Sequence, residues 1–141
     1  TGPEIWRDTK GTVTHFISSM GTTGTIVGTS KFLKEKNSSI QIIGVQPEEG
    51  AQIPGIRKWP KDYLPSIFED KNIDSIRLVS QNDAEETARI LAKKEGIFSG
   101  ASTGGALYIA LEIAKKNPKA VIVSIACDRG DRYLSTGIFP A

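Results

Sequence analysis

Two glycines and three hydroxyls within five residues, Gly21-Thr22-Thr23-Gly24-Thr25, are the strongest chemical signal in this sequence. The segment falls between a stretch that predicts a strand, residues 12–18, and one that predicts a helix, residues 25–36. A helix N-terminus exposes unpaired N–H groups and the positive end of the dipole, so it holds anions. Gly21 and Gly24 permit close backbone approach. Thr22, Thr23 and Thr25 add hydroxyl donors. The set suits a terminal phosphate monoester. The Gly-Lys-Ser/Thr ending of a nucleotide P-loop is absent, and so is Gly-x-Gly-x-x-Gly. Taken alone, the five residues fit a tight strand-to-helix turn with no ligand equally well.

Other candidates are fewer. Cys127 is the single cysteine, directly after an apolar run. A lone cysteine is most often a small buried hydrophobe; its functional reading is a weak polar partner for a ring nitrogen. A catalytic thiolate wants a nearby histidine or helix N-terminus. The single histidine, His15, falls mid-strand in the expected layout, which argues against a Cys–His nucleophile and for a structural role. Arg57-Lys58-Trp59 places two cations beside an aromatic, either to receive an anionic substrate or simply to be solvated. One His and one Cys leave no set with metal-ligand spacing. A second glycine-rich stretch, Ser99 to Gly105, reads first as close packing of a helix on a sheet, with backbone approach to a flat ligand as the alternative.

These residues need a scaffold to hold them. Thr12 to Ser18 is rich in β-branched and aromatic types, as a strand requires. Residues 25–36 carry Ile26, Ser30 and Leu33 on one stripe with Val27 beside it, a helical period. Residues 40–45 and 75–79 predict further strands. Between them Pro47, Pro54, Pro60 and Pro65 fall with Gly50 and Gly55, which predicts a long loop with one short helical turn, functional or mobile. Asn82 and Glu85 resemble a capping box opening a helix to Lys94, with Ala84, Ala88, Leu91 and Ala92 inward. A further helix carries Leu107, Ala110, Leu111 and Ala114 at core spacing and ends at Asn117-Pro118. Residues 120–126 are near-continuously apolar, as in a central strand covered on both faces. The segment from Cys127 to Tyr133 then leaves as a loop. Alternating strands and helices predict a single domain over residues 1–141, a three-layer α/β/α fold with a mostly parallel sheet. Ligands on such sheets bind at the carboxyl ends of the strands.

Bulk properties narrow the classes. The chain has 141 residues, 18 basic and 16 acidic side chains and a net charge of +2. That charge is too small to argue for a nucleic acid or a membrane surface. One cysteine permits no internal disulfide, in keeping with a reducing cytoplasm. No apolar run approaches a membrane span. No signal-peptide pattern precedes the first strand. The expectation is a soluble cytoplasmic protein. Thr1-Gly2-Pro3-Glu4-Ile5-Trp6 reads like the interior of a longer protein.

Taken in order, four motifs resemble a known family: Thr1-Gly2-Pro3-Glu4-Ile5-Trp6, Gly21-Thr22-Thr23-Gly24-Thr25, Glu95-Gly96-Ile97-Phe98-Ser99-Gly100, and Asp128-Arg129-Gly130-Asp131-Arg132-Tyr133-Leu134-Ser135-Thr136-Gly137. They are similar to those of cysteine synthases, the O-acetylserine sulfhydrylases among fold type II pyridoxal-phosphate enzymes. The resemblance covers essentially the whole chain and places it in the carboxyl-terminal half of such an enzyme. Ile53-Pro54-Gly55-Ile56-Arg57-Lys58-Trp59-Pro60 and Cys127-Asp128-Arg129-Gly130 are most similar to the thiosulfate-using B branch. Lys58 stands where a second arginine is expected, which keeps charge but loses the planar fork.

The resemblance implies roles. Gly21, Thr22, Thr23, Gly24 and Thr25 would hold the phosphate of pyridoxal 5′-phosphate, and Cys127 would face its ring nitrogen as a neutral thiol. Arg57, Lys58 and Trp59 would meet an anionic second substrate. The complete enzyme would be a transferase that replaces the acetate of O-acetyl-L-serine with sulfide or thiosulfate, as a homodimer. The family's Schiff-base lysine lies in a Ser-x-Lys setting that no lysine here has. The chain is therefore expected to carry no catalytic residue of its own and to be inactive alone. Two other readings remain open: a different fold type II enzyme, such as cystathionine β-synthase or serine dehydratase, or a non-catalytic module that binds phosphate or pyridoxal phosphate.

Overall fold

A computed structural model describes residues 1–140. The helix α1 (Gly2–Asp8) precedes β1 (His15–Ser19), α2 (Gly24–Lys36) and β2 (Gln41–Pro47). After a long connection come β3 (Ser75–Val79), α3 (Gln81–Glu95), α4 (Ala101–Lys116) and β4 (Ile122–Ser124). Short 3-10 segments occupy Lys61–Tyr63 and Gly130–Thr136.

The four strands form one sheet in the order β3-β2-β1-β4, and every pairing is parallel. Side chains alternate across a strand, so neighbouring residues enter opposite layers. Phe16 and Ile42 pack with Ile5, Ile26 and Leu33 on the face covered by α1 and α2. Ile17, Ile43 and Val45 pack with Val79, Ala84, Ala106 and Ile109 on the face covered by α3 and α4. Both faces of β1 and β2 are thus apolar, as parallel sheets between helix layers require. The predicted three-layer α/β/α architecture is the observed one.

Chain direction around the sheet matters for function. From β1 the chain steps outward to β2 and β3, then returns through α3 and α4 to place β4 on the other side of β1. The strand order therefore reverses between β1 and β4. In open α/β sheets the crevice at such a reversal, beyond the strands' carboxyl ends, is where ligands bind. Gly21–Thr25 follows β1 and Cys127 follows β4.

Several expectations need correction. The apolar run 120–126 is a three-residue strand, paired among the described residues with β1 alone, and its residues are half-buried. Apolar character on both faces reports helices above and below; it carries no information about partners on both edges. The interior strands are β2 and β1, each paired on both edges. His15 is the first residue of β1, at its amino end, so it lies far from the carboxyl-end crevice. The α3 cap is Ser80, whose Oγ accepts from the Asp83 N–H at 3.0 Å, two residues before the predicted start. Along α4 the buried face is Ala101 to Ala106 with Ile109 and Ala110, whereas Leu111 is 48% exposed. The residues after Cys127 include the 3-10 segment Gly130–Thr136, not a plain loop. Helix α1 was not foreseen, although Pro3 in the first turn, Glu4 and Arg7 are helix-end signals.

Candidate cofactor site

The segment between β1 and α2 ends the strand sharply. Met20 donates its N–H to the Val45 carbonyl at 2.9 Å, and the chain then turns into the helix. Thr23 is the residue before α2, with φ 73° and ψ −5°, a left-handed conformation uncommon for a β-branched residue. Its carbonyl accepts the first helical bond, from Val27 N–H at 3.0 Å. Among the described residues, no acceptor takes the backbone N–H groups of residues 21–26, and no side chain caps the helix. Thr23 is 4% exposed, and its Oγ1 also lacks a partner there. Unpaired N–H groups converging at a helix start, with an orphaned hydroxyl among them, fit the oxygens of a phosphate.

A cavity of about 430 Å3 opens in front of this segment, within the usual range for small-ligand sites. Gly21, Thr22, Thr23 and Thr25 form one wall, Arg57 and Trp59 another, and Cys127 a third. Gly24 starts the helix beside them but is not part of this lining. Lys58, next to Arg57 in the chain, lines only the neighbouring cavity, together with Glu48 and Glu49 and with Arg57 and Trp59, which border both. The tertiary structure thus brings together Arg57, Trp59, Cys127 and the glycine-threonine segment, and leaves Lys58 outside.

The long connection is strapped to the glycine-threonine segment. Ile53 and Ile56, each 4% exposed, anchor it in the core. Arg57 N–H donates to the Met20 carbonyl at 2.8 Å, and Trp59 Nε1 donates to the Gly21 carbonyl at 2.7 Å. The Arg57 guanidinium lies 5.5 Å from the Trp59 ring centroid, within cation–π range. Gly55, at φ +87°, fits where a Cβ would come within 3.0 Å of Ser102 Cβ. A Cβ on Gly21 would come within 3.0 Å of the Gly55 carbonyl oxygen. Trp59 therefore has a structural task beyond any contact with a substrate.

Cys127 is exposed to the cavity, contrary to the default of a buried hydrophobe. Its N–H donates to Thr103 Oγ1 at 3.1 Å, which seats it against the first turn of α4. Burial of the thiol in this crevice pushes its pKa up; a hydrogen bond with Ser102 opposes the shift, and the charge of Asp128 adds to it. Cys127 is thus a neutral thiol near pH 7 and a poor nucleophile.

The second glycine-rich stretch is packing, as its composition first suggested. A Cβ on Gly104 would lie 1.9 Å from the Ala84 carbonyl oxygen, so α3 and α4 meet backbone to backbone there. Sequence reasoning missed Ser19, Gly55 and Ser102. Ser19 Oγ donates to the Ser102 carbonyl at 2.6 Å and closes the floor between β1 and α4. Only the positive φ of Gly55, between Pro54 and Ile56, had a local signal. Among the described residues, no group of His, Cys, Asp and Glu could hold a metal ion, and no helix is long and apolar enough to cross a membrane.

Comparison with known proteins gives this geometry a class. The model of the family described as pyridoxal-phosphate dependent enzyme matches residues 1–128, and the chain belongs to that family. Within it, the chain is 60% identical over 139 residues to cysteine synthase B of Escherichia coli (strain K12), covering 99% of this chain and 46% of that protein. Cysteine synthase B of Pseudomonas aeruginosa is 54% identical over 139 residues, with the same shares covered. The crystal structure of cysteine synthase (OASS) from Entamoeba histolytica superposes with a TM-score of 0.89 at 35% identity, covering 98% of this chain and 44% of that one. The O-acetylserine dependent cystathionine beta-synthase from Helicobacter pylori gives 0.84 at 35% identity, covering 99% and 48%. The chain spans under half the length of the curated relatives it matches.

Proposed function

We propose that this chain supplies the phosphate-binding side of the pyridoxal phosphate site in a cysteine synthase. The enzyme would be a transferase that exchanges the acetate of O-acetyl-L-serine for sulfide or thiosulfate. The observation that carries the reading is the unpaired backbone N–H groups of Gly21, Thr22, Thr23, Thr25 and Ile26, with the orphaned Thr23 hydroxyl, in residues that line the same cavity as Cys127 and Arg57. High identity to two cysteine synthases B supports the choice of reaction.

Each residue has a defined task in this reading. The N–H groups of residues 21–26, with the Thr22, Thr23 and Thr25 hydroxyls, hold the phosphate. Cys127 presents a neutral thiol toward the ring nitrogen and donates no full proton to it. Pyridoxal phosphate, when bound, supplies the electron sink for β-elimination and replacement. Arg57 contributes the positive charge that receives an anionic sulfur donor. Trp59 holds the Arg57 segment against the phosphate segment. Lys58, which lines the neighbouring cavity, adds to the local field without lining the site. The lysine that forms the Schiff base is not assigned to any position of this chain.

Titration of the 141-residue chain with pyridoxal 5′-phosphate and with unphosphorylated pyridoxal tests the site. Saturable binding of the phosphorylated compound alone, followed by its absorption and by protection of Cys127 from a thiol reagent, is the expected result. Equal weak binding of both overturns it. In the complete enzyme, sulfide, thiosulfate and homocysteine assayed side by side with O-acetyl-L-serine test the reaction. Preference for homocysteine would assign the chain to a cystathionine β-synthase instead.

A further inference from the structure

Strand β4 stops before it reaches the cavity. Its ladder with β1 ends at Ser124, so the sheet does not fix the place of Cys127. Among the described residues, no backbone carbonyl accepts the Cys127 N–H. A side chain does: Thr103 Oγ1, at 3.1 Å, from the first turn of α4. Neighbouring residues are pinned as well. Gly100 N–H donates to the Asp128 carbonyl at 3.3 Å, and the Ser102 carbonyl accepts from Ser19 Oγ at 2.6 Å. The start of α4 is thus tied both to the end of β1 and to the segment that follows β4.

Packing alone does not call for a threonine at position 103. The residue is 4% exposed, on a helix that buries Ala101, Ala106 and Ile109 in the apolar core. Threonine is a poorer helix former than alanine, and a buried hydroxyl costs free energy unless it is hydrogen-bonded. Valine has the same shape and would bury no polar atom. What threonine offers beyond valine is an acceptor oxygen for the Cys127 N–H, which would otherwise lack a partner. Only Cα and Cβ separate that nitrogen from the sulfur, so fixing the nitrogen fixes the base of a side chain that lines the cavity. A group that must meet a ligand atom needs such support, because a displacement of about 1 Å spoils the contact.

We propose that Thr103 is the positioning residue for Cys127, its buried hydroxyl oxygen holding the Cys127 backbone so that the thiol stands in the cavity wall that meets the cofactor ring. The proposal rests on the pyridoxal phosphate reading above and adds to it a residue outside the cavity lining. Thr103 acts through Cys127 and does not touch the ligand itself. The ring end of the site therefore depends on α4, which supplies no residue to the lining, while the phosphate end depends on the turn before α2. Loss of the Thr103 bond loosens the thiol and leaves the phosphate end intact.

The test is the rate at which Cys127 reacts with a thiol reagent in the 141-residue chain, in Thr103→Val and in Thr103→Ser. Each is measured free, with inorganic phosphate and with saturating pyridoxal 5′-phosphate. In the parent, pyridoxal 5′-phosphate should slow the reaction, and inorganic phosphate, which fills only the turn, should not. In Thr103→Val this protection should weaken about threefold to tenfold, the loss expected for one neutral hydrogen bond. Its half-saturating pyridoxal 5′-phosphate concentration should stay near that of the parent. Thr103→Ser keeps the acceptor and should match the parent. A residue serving packing alone gives the reverse order, with valine harmless and serine, which lacks the methyl group, impaired. Parent-like protection in Thr103→Val, or a loss in Thr103→Ser as large as in Thr103→Val, overturns the proposal. If Thr103→Val does not fold, amide hydrogen exchange of the parent decides. The Cys127 N–H should exchange more slowly than that of Ala126, which has no partner among the described residues; equal rates overturn the proposal. A parent whose thiol pyridoxal 5′-phosphate does not protect overturns the cofactor reading and the proposal together, whereas a protected parent with an equally protected Thr103→Val overturns the proposal alone.

Discussion

Two glycine-rich turns lead into helices on this sheet, and they do opposite things. Before α2, Gly21-Thr22-Thr23-Gly24-Thr25 leaves its backbone N–H groups without acceptors and opens onto a cavity. Before and within α4, Ser99 to Gly105 closes every gap: Gly100 lies against Asp128 and Tyr133, Gly104 against the Ala84 carbonyl, and Gly105 against Ile56 and Val79. The residue types are nearly the same. The difference is what faces each turn. The first turn sits where the strand order reverses between β1 and β4, and among the described residues a cavity lies in front of it. The second is pressed between α3 and the sheet. Small residues permit close approach in both cases, and the fold decides whether packed backbone or an open cavity lies opposite them.

The sharpest way to break this comparison is at Gly104. Gly104→Ala puts a Cβ against the backbone of α3, which cannot yield as a flexible side chain can. The expected loss is about 3 kcal/mol or more, at the upper end for overpacking, read by urea unfolding. If the loss is below 1 kcal/mol, the packing role of the second turn is wrong. Gly21→Ala should cost less, about 2 kcal/mol, because its Cβ meets one carbonyl oxygen of the long connection at 3.0 Å. In contrast to Gly104→Ala, it should also weaken pyridoxal phosphate binding, since displacing Gly55 shifts the cavity wall. Equal effects on stability with no effect on binding would erase the distinction between the turns.

Trp59→Phe keeps the aromatic wall and removes the donor to the Gly21 carbonyl. A loss of about 1 kcal/mol is expected, with faster proteolytic cleavage in the connection near Lys61. Unchanged cleavage would show that the strap is held by Arg57 N–H and the buried isoleucines alone. The smallest effect belongs to the opposite end of the sheet. Burial lowers the pKa of His15 below its ordinary 6.5. The unfolded chain then takes up this proton first, so the stability that neutral His15 contributes is present above about pH 6.5 and lost as pH falls through the folded pKa. His15→Gln should flatten that acid-side dependence of stability on pH and leave phosphate binding untouched. A changed phosphate response in His15→Gln would contradict the separation of the two ends of β1.

Much of the layout was legible because it rests on local chemistry. The change from β-branched residues to a helical stripe at Ile26, Ser30 and Leu33 located the first turn, and β3 was read at its observed bounds. Thr23 was legible as a hydroxyl but not as a left-handed residue, since threonine has no preference for that conformation. Arg57 and Lys58 were indistinguishable in sequence. Both line the outer cavity, and only the connection anchored by Ile53 and Ile56 decides that Arg57, unlike Lys58, also lines the cavity at the turn. The run 120–126 looked central because the sequence reports burial of faces, whereas strand neighbours are a matter of chain topology.

The sequence by itself determined the alternation of strands and helices and the family likeness of its motifs, and it singled out Gly21 to Thr25 as a candidate anion-holding turn. These follow from side-chain type and spacing along the chain. The tertiary structure alone decided that β4 returns beside β1, that Cys127 and Arg57 meet the glycine-threonine turn across one cavity, and that Lys58 does not. Those outcomes depend on contacts between segments tens of residues apart, such as Ser19 with Ser102 and Trp59 with Gly21. Local propensity does not encode such contacts; they form when the packing of both sheet faces is satisfied together.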